Sequence, residues 1–272
     1  MTIERKRIFI LVKTYPTASK HYRETVCTAG ITESGSWVRL YPVPFRMLED
    51  ERKYKKYTWI NVNAERNTSD FRIESYRPDT ESIVVEPEMP KIKGKVDWET
   101  RKHIIIDNQK IYTNLRELIT EARATKKSLA VFKPTEIFSF DAEECDSEWD
   151  EETLAYIEAQ ERQLKLPEIA EDIKDISLAQ KIPYRFSYTF SDDAGQKATL
   201  MIEDWETSML YLNCKKRKGN DIAAIKDVRK KYIDDFARTK DVYLFPRTTL
   251  RHHNTSKNPF IIIGVFPPPF PK

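Results

Sequence analysis

Residues 37–41 and 58–63 alternate side-chain character with a period of two, and that period constrains the fold more than any other feature of the chain. Successive side chains of a strand point to opposite faces. In Trp37-Val38-Arg39-Leu40-Tyr41, Val38 and Leu40 therefore share one face, and Trp37, Arg39 and Tyr41 share the other. In Thr58-Trp59-Ile60-Asn61-Val62-Asn63 the same rule turns Ile60 and Val62 inward and Trp59, Asn61 and Asn63 outward. Residues 7–13 and 24–31 read as two more strands, with a polar turn at 33–36. Short strands separated by turns predict a small barrel or a strongly curved sheet. Pro42 and Pro44, which have no N–H to donate, are expected to end the ladder where they stand.

After residue 95 the period changes. Ile111, Leu115, Leu118, Ile119 and Ala122 recur at helical spacing and predict a helix there. Residues 128–133 and 136–140 read as extended on either side of Pro134. An acidic run at 141–152 leads into a helical stretch near 153–166, which Pro167 ends. Tyr184, Phe186, Tyr188 and Phe190 fall on one face of a strand, and residues 192–195 form a hairpin turn to a returning strand at 198–202. Asp204 is placed to cap a helix carrying Trp205, Met209, Leu210 and Leu212. A second helix at 222–239 turns Ile225, Val228, Tyr232 and Phe236 inward, and strands at 241–245 and 260–266 follow. The four aromatics are expected to form a sheet face beneath these helices. The whole predicts an α+β chain: a β-rich, barrel-like or curved-sheet module at 1–95, a helical and acidic connector at 96–182, and an α+β module at 183–272.

Composition narrows the chemistry. At 272 residues, one large or two modest domains are expected. The six glycines are dispersed, so neither a dinucleotide fingerprint nor a phosphate-cradling loop is present, and no cofactor is expected. Cys27, Cys145 and Cys214 form no close pair, which argues against a zinc ribbon or disulfide framework and for a reducing cytoplasm. The start of the chain does not read as a signal peptide, no apolar run approaches membrane-spanning length, and a soluble protein is expected. The net charge of +3 conceals a division. Residues 1–78 carry fifteen basic and nine acidic side chains and 183–272 carry sixteen and ten, whereas 134–182 carry four and fifteen.

Basic lobes with outward aromatics point to nucleic acid, RNA or DNA, since cations meet phosphates and exposed rings or amides meet bases. The expected contacts are Trp37, Arg39, Tyr41, Arg46, Lys53, Lys55, Lys56, Trp59 and Asn61, joined by Lys215, Lys216, Arg217 and Lys218 at the end of a helix. The same cations suit the helix dipole, and the same aromatic face suits burial beneath the helix at 111–122. An alternative is an enzyme acting on a nucleotide or nucleobase-like substrate. There His252 or His253 is the acid–base group, because imidazole titrates near neutral pH, with Asp204 and Glu206 as orienting acids. Adjacent histidines on an extended segment face opposite ways, so they are poor joint ligands and no metal is expected. A third reading is a protein-interaction adaptor using the acidic run at 141–152.

Overall fold

The computed structural model describes residues 2–164 and 177–271. The chain is α+β, with an N-terminal closed five-stranded barrel and a second sheet. The first lobe contains β1 (Ile3–Lys13), β2 (Thr17–Ser19), β3 (Arg23–Ile31), β4 (Trp37–Val43), β5 (Trp59–Arg66) and β6 (Ser75–Val85). Because β1 pairs antiparallel with both β3 and β5, the order β1-β5-β6-β4-β3 returns on itself. β4 runs parallel to β6, and β2 pairs with β3 outside the ring. Ile8, Ile10, Val26, Val38, Leu40, Ile60 and Val62 fill the barrel. Val38, Leu40, Ile60 and Val62 are at most 2% exposed while Asn61 and Asn63 are half-buried, as the alternation predicts. β4 does not stop at Pro42, however. It continues to Val43, opposite Val26, after a register shift that absorbs the missing donor.

The second lobe follows α1 (Trp98–Ile105). It comprises β7 (Ile111–Tyr112), α2 (Leu115–Thr125), β8 (Val131–Phe132), β9 (Glu136–Glu144), α3 (Glu151–Leu164), β10 (Tyr184–Ser191) and β11 (Lys197–Ile202). Next come α4 (Trp205–Lys218), α5 (Asp221–Arg229) with a π-helical continuation (Lys230–Ala237), β12 (Tyr243–Thr248) and β13 (Phe260–Phe266). The sheet order is β7-β8-β12-β13-β11-β10-β9, so the stretch read as a connector supplies three strands of it. Ile111 lies in a strand, and the helix begins at Leu115, where the Asn114 side chain accepts from Glu117 N at 3.1 Å. Residues 141–144 of the acidic run extend β9, paired with β10. Pro167 lies outside the described residues. As expected, Phe186, Tyr188 and Phe190 are buried with Tyr211, Val228 and Tyr232 from the helices above. In α4, Thr207, Ser208, Tyr211 and Cys214 are buried, and Met209, Leu210 and Leu212 are half-buried. No helix among the described residues is long and apolar enough to cross a membrane.

The two lobes share a core. Alternation turns Phe9 and Leu11 out of the barrel, and a register shift between Ile10 and Val12 places Val12 with them, while Ile8 and Ile10 stay within it. These outer residues, with Ala29 and Ile31, pack on Leu129, Val131, Tyr243, Phe245, Ile263 and Phe266 of the second sheet. Gly264 permits the approach, since a Cβ there would stand 2.4 Å from a Val12 methyl. The middle strands of the second sheet are thus buried on both faces, Tyr243 and Phe245 toward the barrel and Leu244 toward the helices.

Candidate functional site

The shared core determines where the outward residues of β4 and β5 end up. Trp37 is half-buried and edge-on to Phe245, with ring centres 6.1 Å apart. Trp59 packs on Phe9 at 5.1 Å, with the Arg7 guanidinium 4.3 Å from its ring centre. Asn61 donates to Glu86 at 2.8 Å, and Arg39 is 1% exposed. The second sheet, rather than the helix at 111–122, covers most of this face. Tyr41, at 45% exposure, stays open.

The basic side chains are largely paired. Arg46 lies 2.8 Å from Glu24, Lys53 2.8 Å from Asp50, and Lys55 2.5 Å from Glu88. Lys56 is buried and bridges the lobes, 2.8 Å from Glu206 and 3.5 Å from Asp204. At the end of α4, Lys215 meets Asp221, Arg217 and Lys218 meet Asp227, and Lys216 is exposed. Asp204 caps α4 as predicted, accepting from Glu206 N.

The histidines and these acids are held by different partners. His253 is buried between Thr248 Oγ1 at 2.6 Å and the Ala122 carbonyl at 3.2 Å, and burial keeps its imidazole below the ordinary value. His252 is exposed. In the acidic run, Asp141 pairs with Arg229, Glu152 with Lys20, and the Trp149 indole donates to the Ala179 carbonyl. No group of three His, Cys, Asp or Glu among the described residues could hold a metal ion.

Where the barrel meets the ends of the inner strands β11 and β12 of the second sheet there is a cleft of about 870 Å³, within the range of small-molecule and cofactor sites. Its walls bring together Arg39 from β4, Arg72 and Arg77 from the segment leading into and along β6, and Arg247 from β12. Arg72 is a fixed part of the wall. Its Nε and Nη2 donate to the two Asp70 oxygens at 2.9 and 2.6 Å, and its Nη1 donates to the Thr248 carbonyl at 2.8 Å. Burial raises the Asp70 carboxyl, but the bonds from Arg72 and Ser75 outweigh it and hold the group at about 2. Arg66 fixes the same segment by donating to the carbonyls of Asn67, Asp70, Arg72 and Ser75.

Arg39 and Arg247 are less fully used. Arg39 donates to Ser75 Oγ at 3.3 Å and to Ser128 Oγ, and Arg247 donates to Glu203 at 2.6 Å. The buried Nε of each has no hydrogen-bond partner. Burial lowers the Arg39 guanidinium to about 10, and the charges of Arg72 and Arg247 add to the effect. Unsatisfied buried donors are rare in folded chains, and each calls for an explanation. At the same cleft stand Tyr22 and Tyr41, 49% and 45% exposed, with Asn67, Thr25 and the buried Cys27. Guanidiniums suit the fork geometry of phosphate or carboxylate, and open tyrosine rings suit flat ligands. Of the side chains singled out in the sequence, the cleft takes Arg39 and Tyr41. Arg72, Arg77, Arg247 and Tyr22 stand alone in their local sequence, and only the tertiary fold collects them.

The family described as Domain of unknown function (DUF8757) matches residues 112–272. The chain belongs to that family. A second description, Domain of unknown function (DUF8758), matches residues 4–107, so the two matches meet between α1 and β7, where the chain leaves the barrel lobe for the second sheet. A search of curated proteins gives no match.

Proposed function

We propose that the protein binds single-stranded nucleic acid in the arginine cleft, with a phosphate toward Arg247 and Arg77 and an unpaired base against Tyr41. The observation that carries this reading is the gathering of Arg39, Arg72, Arg77 and Arg247 around one cleft that also holds two open tyrosines. Phosphate contacts position a strand, and stacking holds it without regard to sequence. Five-stranded barrels of the OB type take oligonucleotides on a sheet face and its loops, an analogy of fold alone. Here the second sheet covers much of the outer barrel, so the reading rests on the cleft. The paired lysines at 53 and 55 and the cluster at 215–218 are outer, weaker contributors, whereas Lys56 is buried between the lobes.

Fluorescence anisotropy with a short labelled oligonucleotide tests the reading. Affinity should fall with added salt, with a logarithmic slope of about −0.7 for each phosphate engaged. Tyr41→Ala should weaken binding at every salt concentration by about 1–3 kcal/mol, the usual worth of one stacked base. Arg77→Ala should instead flatten the salt slope. Binding indifferent to Tyr41, Arg77 and salt together would overturn the proposal.

A further inference from the structure

A second cavity, of about 410 Å³, lies where the loop before β5 and the segment leading to α1 meet the start of α4. Lys13, Lys56, Tyr57, Arg101, Trp205 and Glu206 are among its walls. Lys13 is 9% exposed and stands at the end of β1. Its Nζ donates to the Tyr54 carbonyl at 2.9 Å, and lies 3.9 Å from the ring centre of Phe45 and 5.1 Å from that of Trp205.

The neighbouring Lys56 takes the two nearby carboxylates, Glu206 at 2.8 Å and Asp204 at 3.5 Å. Lys13 makes no ion pair within 4.0 Å among the described residues. It is an amine enclosed by aromatic rings, beside another cation and open to a cavity. Burial lowers it from 10.5 to about 8, against the pull of Glu206 and with the push of Lys56. Desolvation in an apolar pocket and a neighbouring positive charge are the two ways proteins keep a lysine amine neutral and nucleophilic. The cavity also offers a place for negative charge. The Arg101 guanidinium is stacked 4.1 Å from the Tyr57 ring centre, and Lys91 is exposed at the wall.

We propose that Lys13 is a nucleophilic amine that condenses with a small anionic carbonyl compound, an aldehyde or oxo acid, held by Arg101 and Lys91. The neutral amine forms a C–N bond to the carbonyl carbon, and the carbonyl π electrons move to oxygen, which takes up a proton. The nitrogen gives up its protons as that oxygen departs as water, leaving a C=N bond with no change of oxidation state.

Pyridoxal 5′-phosphate, an aldehyde with a phosphate, is a suitable probe when sodium borohydride is added to reduce the imine to a stable secondary amine. Peptide mapping of the intact folded chain at near-neutral pH should find Lys13 labelled about tenfold faster than any other lysine. Its rate should rise with pH through about 8. Arg101→Ala should slow labelling by pyridoxal 5′-phosphate, and should leave labelling by pyridoxal, which lacks the phosphate, unchanged. Because the decisive readout is the labelling map of the unaltered chain, it does not depend on a Lys13 variant folding. Label spread over surface lysines in proportion to their exposure, or a folded chain with Lys13 unlabelled, would overturn the proposal.

Discussion

Replacing Arg39 with methionine should separate stability from binding. The side chain is 1% exposed, and burial brings its guanidinium from 12.5 to about 10. Each factor of ten in proton affinity corresponds to about 1.36 kcal/mol, so holding this charge in the interior costs a few kcal/mol at neutral pH. Its hydrogen bonds to Ser75 and Ser128 offset about 1 kcal/mol each. Methionine fills a similar apolar path without the charge. Glu74, near Arg39, keeps its bonds from the Ser128 N–H and hydroxyl. The single change leaves the buried Glu74 carboxylate without the Arg39 charge and should lose stability, and a fold as stable as the parent or more stable is expected only when both charges are removed. The double variant Arg39→Met/Glu74→Gln removes both charges and isolates the burial contribution. Urea unfolding followed by tryptophan fluorescence gives the stability, and oligonucleotide anisotropy gives the binding. Affinity should drop, because Arg39 is one of the four arginines that make the cleft positive and methionine removes its charge. If both variants lose more than about 2 kcal/mol of stability while binding is intact, Arg39 is a structural residue and the reasoning fails.

Two further outcomes follow from the ion pairs. Asp70 is held at about 2 against 3.8, so it contributes about 2 kcal/mol that is present above about pH 4 and lost as pH falls toward 2. Asp70→Asn should be less stable than the parent at neutral pH, and the gap should close in an acid titration of urea midpoints; a constant gap would contradict the assignment. Lys56→Met leaves Asp204 buried without its cation and should cost about 3–5 kcal/mol, part of which Lys56→Met/Asp204→Asn restores. A loss below about 1 kcal/mol for the single variant would show that the pair does not join the lobes.

Much of the architecture is legible in the residues because burial on one face imposes a period. Val38, Leu40, Ile60 and Val62 mark the barrel interior, and Tyr184 to Phe190 mark a sheet under helices. The period is silent about what covers the opposite face. Trp37, Arg39 and Trp59 have the composition of an open platform, yet Phe245 and its neighbours lie some two hundred residues away in sequence and close over them. The acidic run misleads for a related reason. β9 is the last strand of its sheet, so Asp141 and Glu143 stand at an edge, where charge is tolerated within a strand. The cleft is the least legible part, since a tertiary contact between β4, the turn before β6 and β12 has no local signature. The Asp204 cap, by contrast, depends only on its own backbone and was readable directly.

Photocrosslinking tests the central claim most directly. A single-stranded oligonucleotide carrying 5-iodouridine, irradiated with the intact chain and mapped by mass spectrometry, reports which aromatic side chains lie against its bases. The cleft account predicts adducts on Tyr41 and Tyr22, diminished by excess unlabelled strand and by high salt. Adducts confined to Tyr184, Trp149 or the helix at 205–218, with Tyr41 and Tyr22 unmodified, would contradict it.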